Sequence, residues 1–264
     1  MTQPLPPDFQ PWEAEEITPP PRRKLKPGIK TAILCLAVFT ALAIFLFGSL
    51  FRIRTVTVMG NSRFTAEEVT EIAGVTDGIS YFTVTEEYVQ ENIGKNHYLV
   101  FRGMEKHLPG TVTIRISERY ERANVYVKGK NYLLDESGMV LEMPEYGLNE
   151  DLPQVTGLQA RSATVGKTVV AGNEIQLNSY CTIMKELLEQ GCVDEIAELK
   201  VSDPENLSLV TRDGYTICLG DAQNLRAKIG TARAVVEKLK TMGYSEGIID
   251  ASVPMVATYT PSDL

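Results

Sequence analysis

The sequence predicts an α+β protein carried on one apolar helix, and three observations lead to that class. Residues 31–51 form an apolar run of 21 residues without a charge. Beyond it, short stretches alternate apolar and polar residues with the period of half-buried strands. Between those stretches, longer segments space their apolar residues at helical intervals. The expected order is a disordered tail over 1–30, a transmembrane helix over 31–51 and a small strand-helix-helix-strand-strand domain over 52–119. A β-rich domain with two helices follows over 120–260, and then a short tail over 261–264.

At about 1.5 Å per residue, a helix of 21 residues spans roughly 30 Å, the depth of a bilayer's hydrocarbon core. Arg22, Arg23, Lys24, Lys26 and Lys30 precede the run, and Arg52 and Arg54 follow it. The positive-inside bias therefore keeps the tail cytoplasmic and sets the rest outside. A cleaved leader is the competing reading, with Ala41-Leu42-Ala43 as its cleavage tripeptide. Ile44 to Phe47 continue the apolar run where a polar segment should follow, which favours a retained anchor. The tail holds eight of the fourteen prolines and carries five basic against four acidic residues. Such a segment cannot build a core. The 213 residues after the run hold 21 basic and 30 acidic side chains, a net of −9. That acidity argues against nucleic-acid binding, which needs a basic footprint. Outside the run lie three cysteines, Cys181, Cys192 and Cys218, an odd number that makes no disulfide framework.

The first domain opens with alternation over 54–59, where Val56 and Val58 share a face, and Gly60-Asn61 supplies a turn. Thr65-Ala66-Glu67-Glu68 reads as a capping box before a helix whose apolar side is Val69, Ile72 and Ala73. A second helix starts near Thr85 and breaks at Gly94. Residues 98–106 read as a strand of untidy alternation. Leu108-Pro109-Gly110 then turns the chain into 111–119, where Val112, Ile114 and Ile116 point inward. In the second domain, short strands fall at 124–128, 132–135 and 139–143, followed by a looser stretch with Leu152-Pro153 and Gly157. A helix over 173–190, a strand over 196–201 and a hairpin (207–211 with 215–220) across Arg212-Asp213-Gly214 come next. Leu225, Ile229, Ala232, Val236 and Leu239 stripe a long helix closed by Gly243, and the final strands are expected at 248–253 and 255–260.

No catalytic, cofactor-binding or metal-ligating residues are expected. Val165-Gly166-Lys167-Thr168 resembles the end of a phosphate loop, but Arg161 stands where the first glycine belongs. His97 and His107 bracket a strand and would lie about 33 Å apart, too far to share a metal. Cys218 sits on a strand with no histidine in its own domain to act as base. A binding protein is the reading that remains; a membrane-anchored external cell-wall enzyme with an unrecognised site is the alternative.

The order of turn motifs resembles the bacterial cell-division family FtsQ/DivIB over nearly the whole chain. Val56-Thr57-Val58-Met59-Gly60-Asn61 looks like that family's entry into its POTRA domain. Leu108-Pro109-Gly110-Thr111 with the terminal Glu118-Arg119, the hairpin Asp135-Glu136-Ser137-Gly138, and Leu152-Pro153 with Thr156-Gly157 are similar to family motifs, as are the Asp213-Gly214 hairpin and Ile249-Asp250. The resemblance implies a POTRA domain, a non-enzymatic role at the septum, and bitopic partners of the FtsB/DivIC and FtsL types. It also implies that an FtsB-type partner adds a strand along the last strand, which by position maps to Met255, Val256, Ala257, Thr258 and Tyr259. An edge strand leaves backbone N–H and C=O groups for another chain to complete. Ala251-Ser252-Val253-Pro254 departs from the family pattern, and since proline donates nothing to a ladder, pairing is expected to begin after Pro254.

Overall fold

The structure, a computed structural model, describes residues 27–145 and 147–262. The expected disordered tail falls largely on residues 1–26, outside that set. Two units separate, Met1–Leu50 and Phe51–Leu264. The first contains helix α1, Pro27–Leu50, of 24 residues. It starts earlier than the charge pattern suggested, with a proline at its first position, where a missing N–H costs nothing. The side chains of Ala43 and of 46–50 lie outside the described residues. Among the described residues, no helix is long and apolar enough to cross a membrane.

The second unit opens with β1, Thr55–Met59, followed by α2, Ala66–Ile72, and α3, Glu86–Ile93. Strands β2, Leu99–His107, and β3, Thr111–Glu118, complete the expected order. They form a sheet of order β1-β3-β2, with β1 parallel and β2 antiparallel to β3. The capping box forms as the residues dictate: Glu68 N donates to Thr65 Oγ1 at 3.2 Å and Thr65 N to Glu68 Oε2 at 2.8 Å. The untidy alternation of β2 has a cause, because its register with β3 slips between Phe101 and Gly103. Val69, Ala73, Val89 and Ile93 from the helices meet Val112, Ile114 and Ile116 in one core.

The remaining strands are β4, Ala123–Val127, β5, Lys130–Leu134, β6, Val140–Glu142, and β7, Gln154–Thr156. Strands β8, Ala160–Ser162, and β9, Val170–Ala171, form a separate ribbon. Helix α4, Glu174–Glu189, leads to β10, Ile196–Lys200, and the hairpin β11, Leu207–Thr211, with β12, Tyr215–Gly220. Helix α5, Leu225–Thr241, precedes β13, Gly247–Asp250, and β14, Thr258–Thr260. Nine of these strands make one sheet of order β14-β13-β12-β11-β10-β7-β4-β5-β6. The apolar stripes of α4 and α5, including Ile183, Leu187, Ile229 and Val236, share a core with inward residues such as Leu199, Leu209, Ile217 and Ile249.

Two features differ from expectation. The looser stretch after residue 143 contains β7, which lies mid-sheet and pairs in parallel with both β4 and β10. The final strands are shorter than expected: β13 ends at Asp250 and β14 begins only at Thr258. The intervening chain turns at Pro254, with Met255 in the left-handed region (φ 64°) and Val256 N donating back to Val253 O at 3.2 Å.

Candidate functional site

Strand β14 ends the nine-stranded sheet. It pairs antiparallel with β13 through Ile248↔Thr260, Ile249↔Tyr259 and Asp250↔Thr258. Among the described residues, no strand lies on its other side. Directly opposed residues share a face. Tyr259 therefore follows the buried Ile249 inward, while Thr258 and Thr260 join the exposed Asp250 and Ile248 on the outer face. The ends of the strand have distinct causes. Pro261 lacks the N–H to extend the ladder, and the Pro254 turn displaces the chain ahead of it.

The Tyr259 ring is fixed from within. Its hydroxyl donates to Glu246 O at 2.7 Å, and its ring meets Tyr244 edge-on at a centroid distance of 5.6 Å. Gly247 makes room for it. A Cβ on that residue would come within 2.5 Å of the ring and 2.7 Å of Thr260 O, at a φ of +142° that disfavours any side chain. Of the five residues the resemblance singled out, only Thr258 and Tyr259 lie in the strand. Met255 and Val256 stand before it on the turn, 83% and 54% exposed, and Ala257 is half-buried against the core. Val253, Met255 and Val256 are exposed on the turn ahead of the edge strand, and Ile248 is exposed on β13 opposite Thr260. The sequence signal missed was Gly247, left outside the strand expected from Ile248, where the missing side chain is what admits the Tyr259 ring.

The other motif residues serve structure. Glu118 Oε1 and Oε2 accept from the backbone N–H groups of Ser62, Arg63 and Phe64 at 2.8, 2.8 and 3.0 Å, and from Tyr120 OH at 2.9 Å. Burial raises the Glu118 carboxyl, but these donors outweigh it and hold the group below the ordinary carboxylate range. Arg119 Nη1 reaches the fully buried Asp135 at 2.6 Å. Asp135 Oδ1 also accepts from Ser137 N and Met139 N, closing the Asp-x-x-Gly turn. Tyr98 OH donates to Glu142 at 2.7 Å, and the Arg63 guanidinium lies 4.9 Å above the Tyr98 ring while pairing with Glu121. The Val165-Gly166-Lys167-Thr168 segment holds no phosphate geometry. Gly166 N donates to Val140 O, Lys167 O accepts from Val140 N, and Thr168 bridges Met139. Burial pushes the Cys181 thiol up to about 11 and raises Cys192 and Cys218, the direction opposite to an activated nucleophile.

Two family models cover about three quarters of the chain. Residues 51–119 match "POTRA domain, FtsQ-type", and 123–252 match "Cell division protein FtsQ/DivIB, C-terminal". The chain belongs to the FtsQ/DivIB family of cell-division proteins. It is 25% identical over 203 residues to cell division protein DivIB of Clostridium tetani, covering 76% of each chain. Cell division protein FtsQ of Syntrophotalea carbinolica is 25% identical over 221 residues, which is 80% of this chain and 76% of that one. A solved structure of the major extracytoplasmic domain of DivIB from Geobacillus stearothermophilus aligns with a TM-score of 0.31 at 17% identity, covering 47% of this chain and 97% of the other. In this FtsQ/DivIB chain, the POTRA domain is therefore the three-stranded sheet with α2 and α3, and Glu118-Arg119 is where that domain hands over to the nine-stranded sheet.

Proposed function

We propose that this protein is a non-enzymatic scaffold of the septum that receives a strand from an FtsB/DivIC-type partner along β14. The arrangement would run as a cytoplasmic tail over 1–30, one membrane span over 31–51, a POTRA domain over 52–119, a β domain over 120–260 and a short tail over 261–264. An FtsL-type partner would join through the same assembly and the span. The observation that carries the reading is the terminal position of β14, paired with β13 on one side and flanked by the exposed apolar Ile248, Val253, Met255 and Val256. A strand added there would satisfy open backbone groups, and its apolar side chains would cover the rim. The contact residues would be Thr258 and Tyr259 by ladder, with Met255, Val256 and Ala257 at the rim. The anchor is supported by the uncharged 21-residue run and by exposed Leu34, Val38, Phe39 and Phe45 on α1.

Co-purification of the full chain with candidate bitopic septal proteins tests the reading. Capture is expected from the parent chain and lost from Thr258→Pro or on removal of 255–264, with binding falling by far more than the modest drop in the thermal midpoint. Undiminished capture by both variants, or a fluorescent fusion spread evenly around the cell, would reject it.

A further inference from the structure

The POTRA domain carries an aromatic and basic patch at the end where the chain enters it. Phe51, Tyr81 and Phe82 cluster there, with ring centroids 5.2 Å apart for Phe51–Phe82, 5.8 Å for Tyr81–Phe82 and 6.5 Å for Phe51–Tyr81. Backbone contacts hold the cluster in place: Tyr81 N donates to Phe51 O at 2.9 Å, and Arg52 bridges Ser80. Lys106 Nζ sits 4.8 Å over the Tyr81 ring and donates to Tyr81 O at 2.8 Å. The turn after β2 lies at the same end, because Arg54 N and Thr55 N both donate to Gly110 O. That turn presents Leu108 at 64% exposure, and Phe82 is 66% exposed. Arg52 and Arg54, both exposed, flank the buried Ile53 where the chain enters the domain, and the exposed Glu105 is engaged by Arg115.

The exposed Phe82 and Leu108 have no place in this domain's core, which closes without them. Aromatic rings beside long basic side chains match the chemistry of the lipid–water interface, where rings sit at headgroup depth and cations meet phosphates. Phe51 is joined by one peptide bond to Leu50, the last residue of α1. We propose that this end of the POTRA domain seats on the phospholipid surface, with Phe82 and Leu108 entering the interface and Arg54 and Lys106 facing anionic headgroups. The proposal rests on the reading of 31–51 as a membrane span.

The chain has one tryptophan, Trp12. Trp12→Phe combined with Phe82→Trp therefore gives a single indole in the patch. The full chain is reconstituted in phosphatidylcholine–phosphatidylglycerol vesicles, with lipids brominated near the top of the acyl chain as quenchers. The indole at 82 is expected to be quenched by the brominated lipid and to shift to the blue, as interfacial aromatics do. Trp12→Phe with Tyr126→Trp, on β4 and 60% exposed, is expected to lose no emission. A floating chain whose indole at 82 is unquenched overturns the seat while leaving the span intact. This holds whether that indole is water-like in emission or blue-shifted under a protein. Equal quenching at both positions overturns it as general adsorption. A chain that fails to float with the vesicles overturns the anchor, and the seat with it.

Discussion

At the junction of the three-stranded and nine-stranded sheets, this protein surrounds Glu118 and Arg119 with partners. Glu118 collects three backbone N–H groups and a hydroxyl, and Arg119 meets a carboxylate with no exposure of its own. At the opposite end of the nine-stranded sheet, three residues of β14 hang on one neighbour, with apolar side chains left in solvent beside them. The difference teaches what each region is for. Partner-rich polar contacts fix one arrangement, because breaking any one strands a buried group. A single-sided strand keeps its remaining backbone groups available to another molecule. If the contrast is real, changes at the junction should cost stability and spare partner capture, and changes at the edge should do the reverse.

Arg119→Ala breaks the contrast hardest. It leaves the buried Asp135 carboxylate without its cation, and a loss of about 3–5 kcal/mol is expected from urea unfolding of the full chain in detergent. Glu118→Gln comes next, at about 1–3 kcal/mol, since charge-assisted acceptors are replaced by a weaker one. The same residue gives a pH test. The folded carboxyl sits below its ordinary value of 4.5, so its contribution is full above that value and disappears as pH falls through the folded one. Thermal midpoints measured downward from neutrality should drop for the parent in that window and drop less for Glu118→Gln.

Gly247→Ala sharpens the edge side of the comparison. The added methyl collides with Tyr259 and Thr260, so β14 should detach, at about 1 kcal/mol of global stability. Hydrogen exchange should accelerate at Thr258–Thr260 and partner capture should be lost; protected amides there would contradict the packing account. Met255→Ser is the smallest change in folding, within about 0.5 kcal/mol for so exposed a side chain. A measurable weakening of partner capture is nevertheless expected if the rim is covered on binding.

Much of the POTRA domain was legible because each of its signals is local. The capping box needs four consecutive residues, and the alternation of Val112, Ile114 and Ile116 needs five. The β7 strand left no such trace. Three residues carry no period, and its place between β4 and β10 comes from partners roughly thirty to forty-five positions away. Gly157 shows the same limit. It reads as an ordinary turn glycine, yet a Cβ there would strike Ser202 at 2.5 Å, a neighbour no local pattern names. The last strand was located correctly but drawn too long, because the apolar Met255-Val256-Ala257 continues a strand-like pattern through what is a left-handed turn.

The sequence alone determined the α+β class, the uncharged run, the helical stripes and the turns, since each follows from the chemistry of residues close in the chain. Only the tertiary structure decided which strand stands at the rim, which side of it stays open and which way Tyr259 faces. Those depend on the sheet's order, and that order is set by pairings between distant segments whose backbone groups are chemically alike.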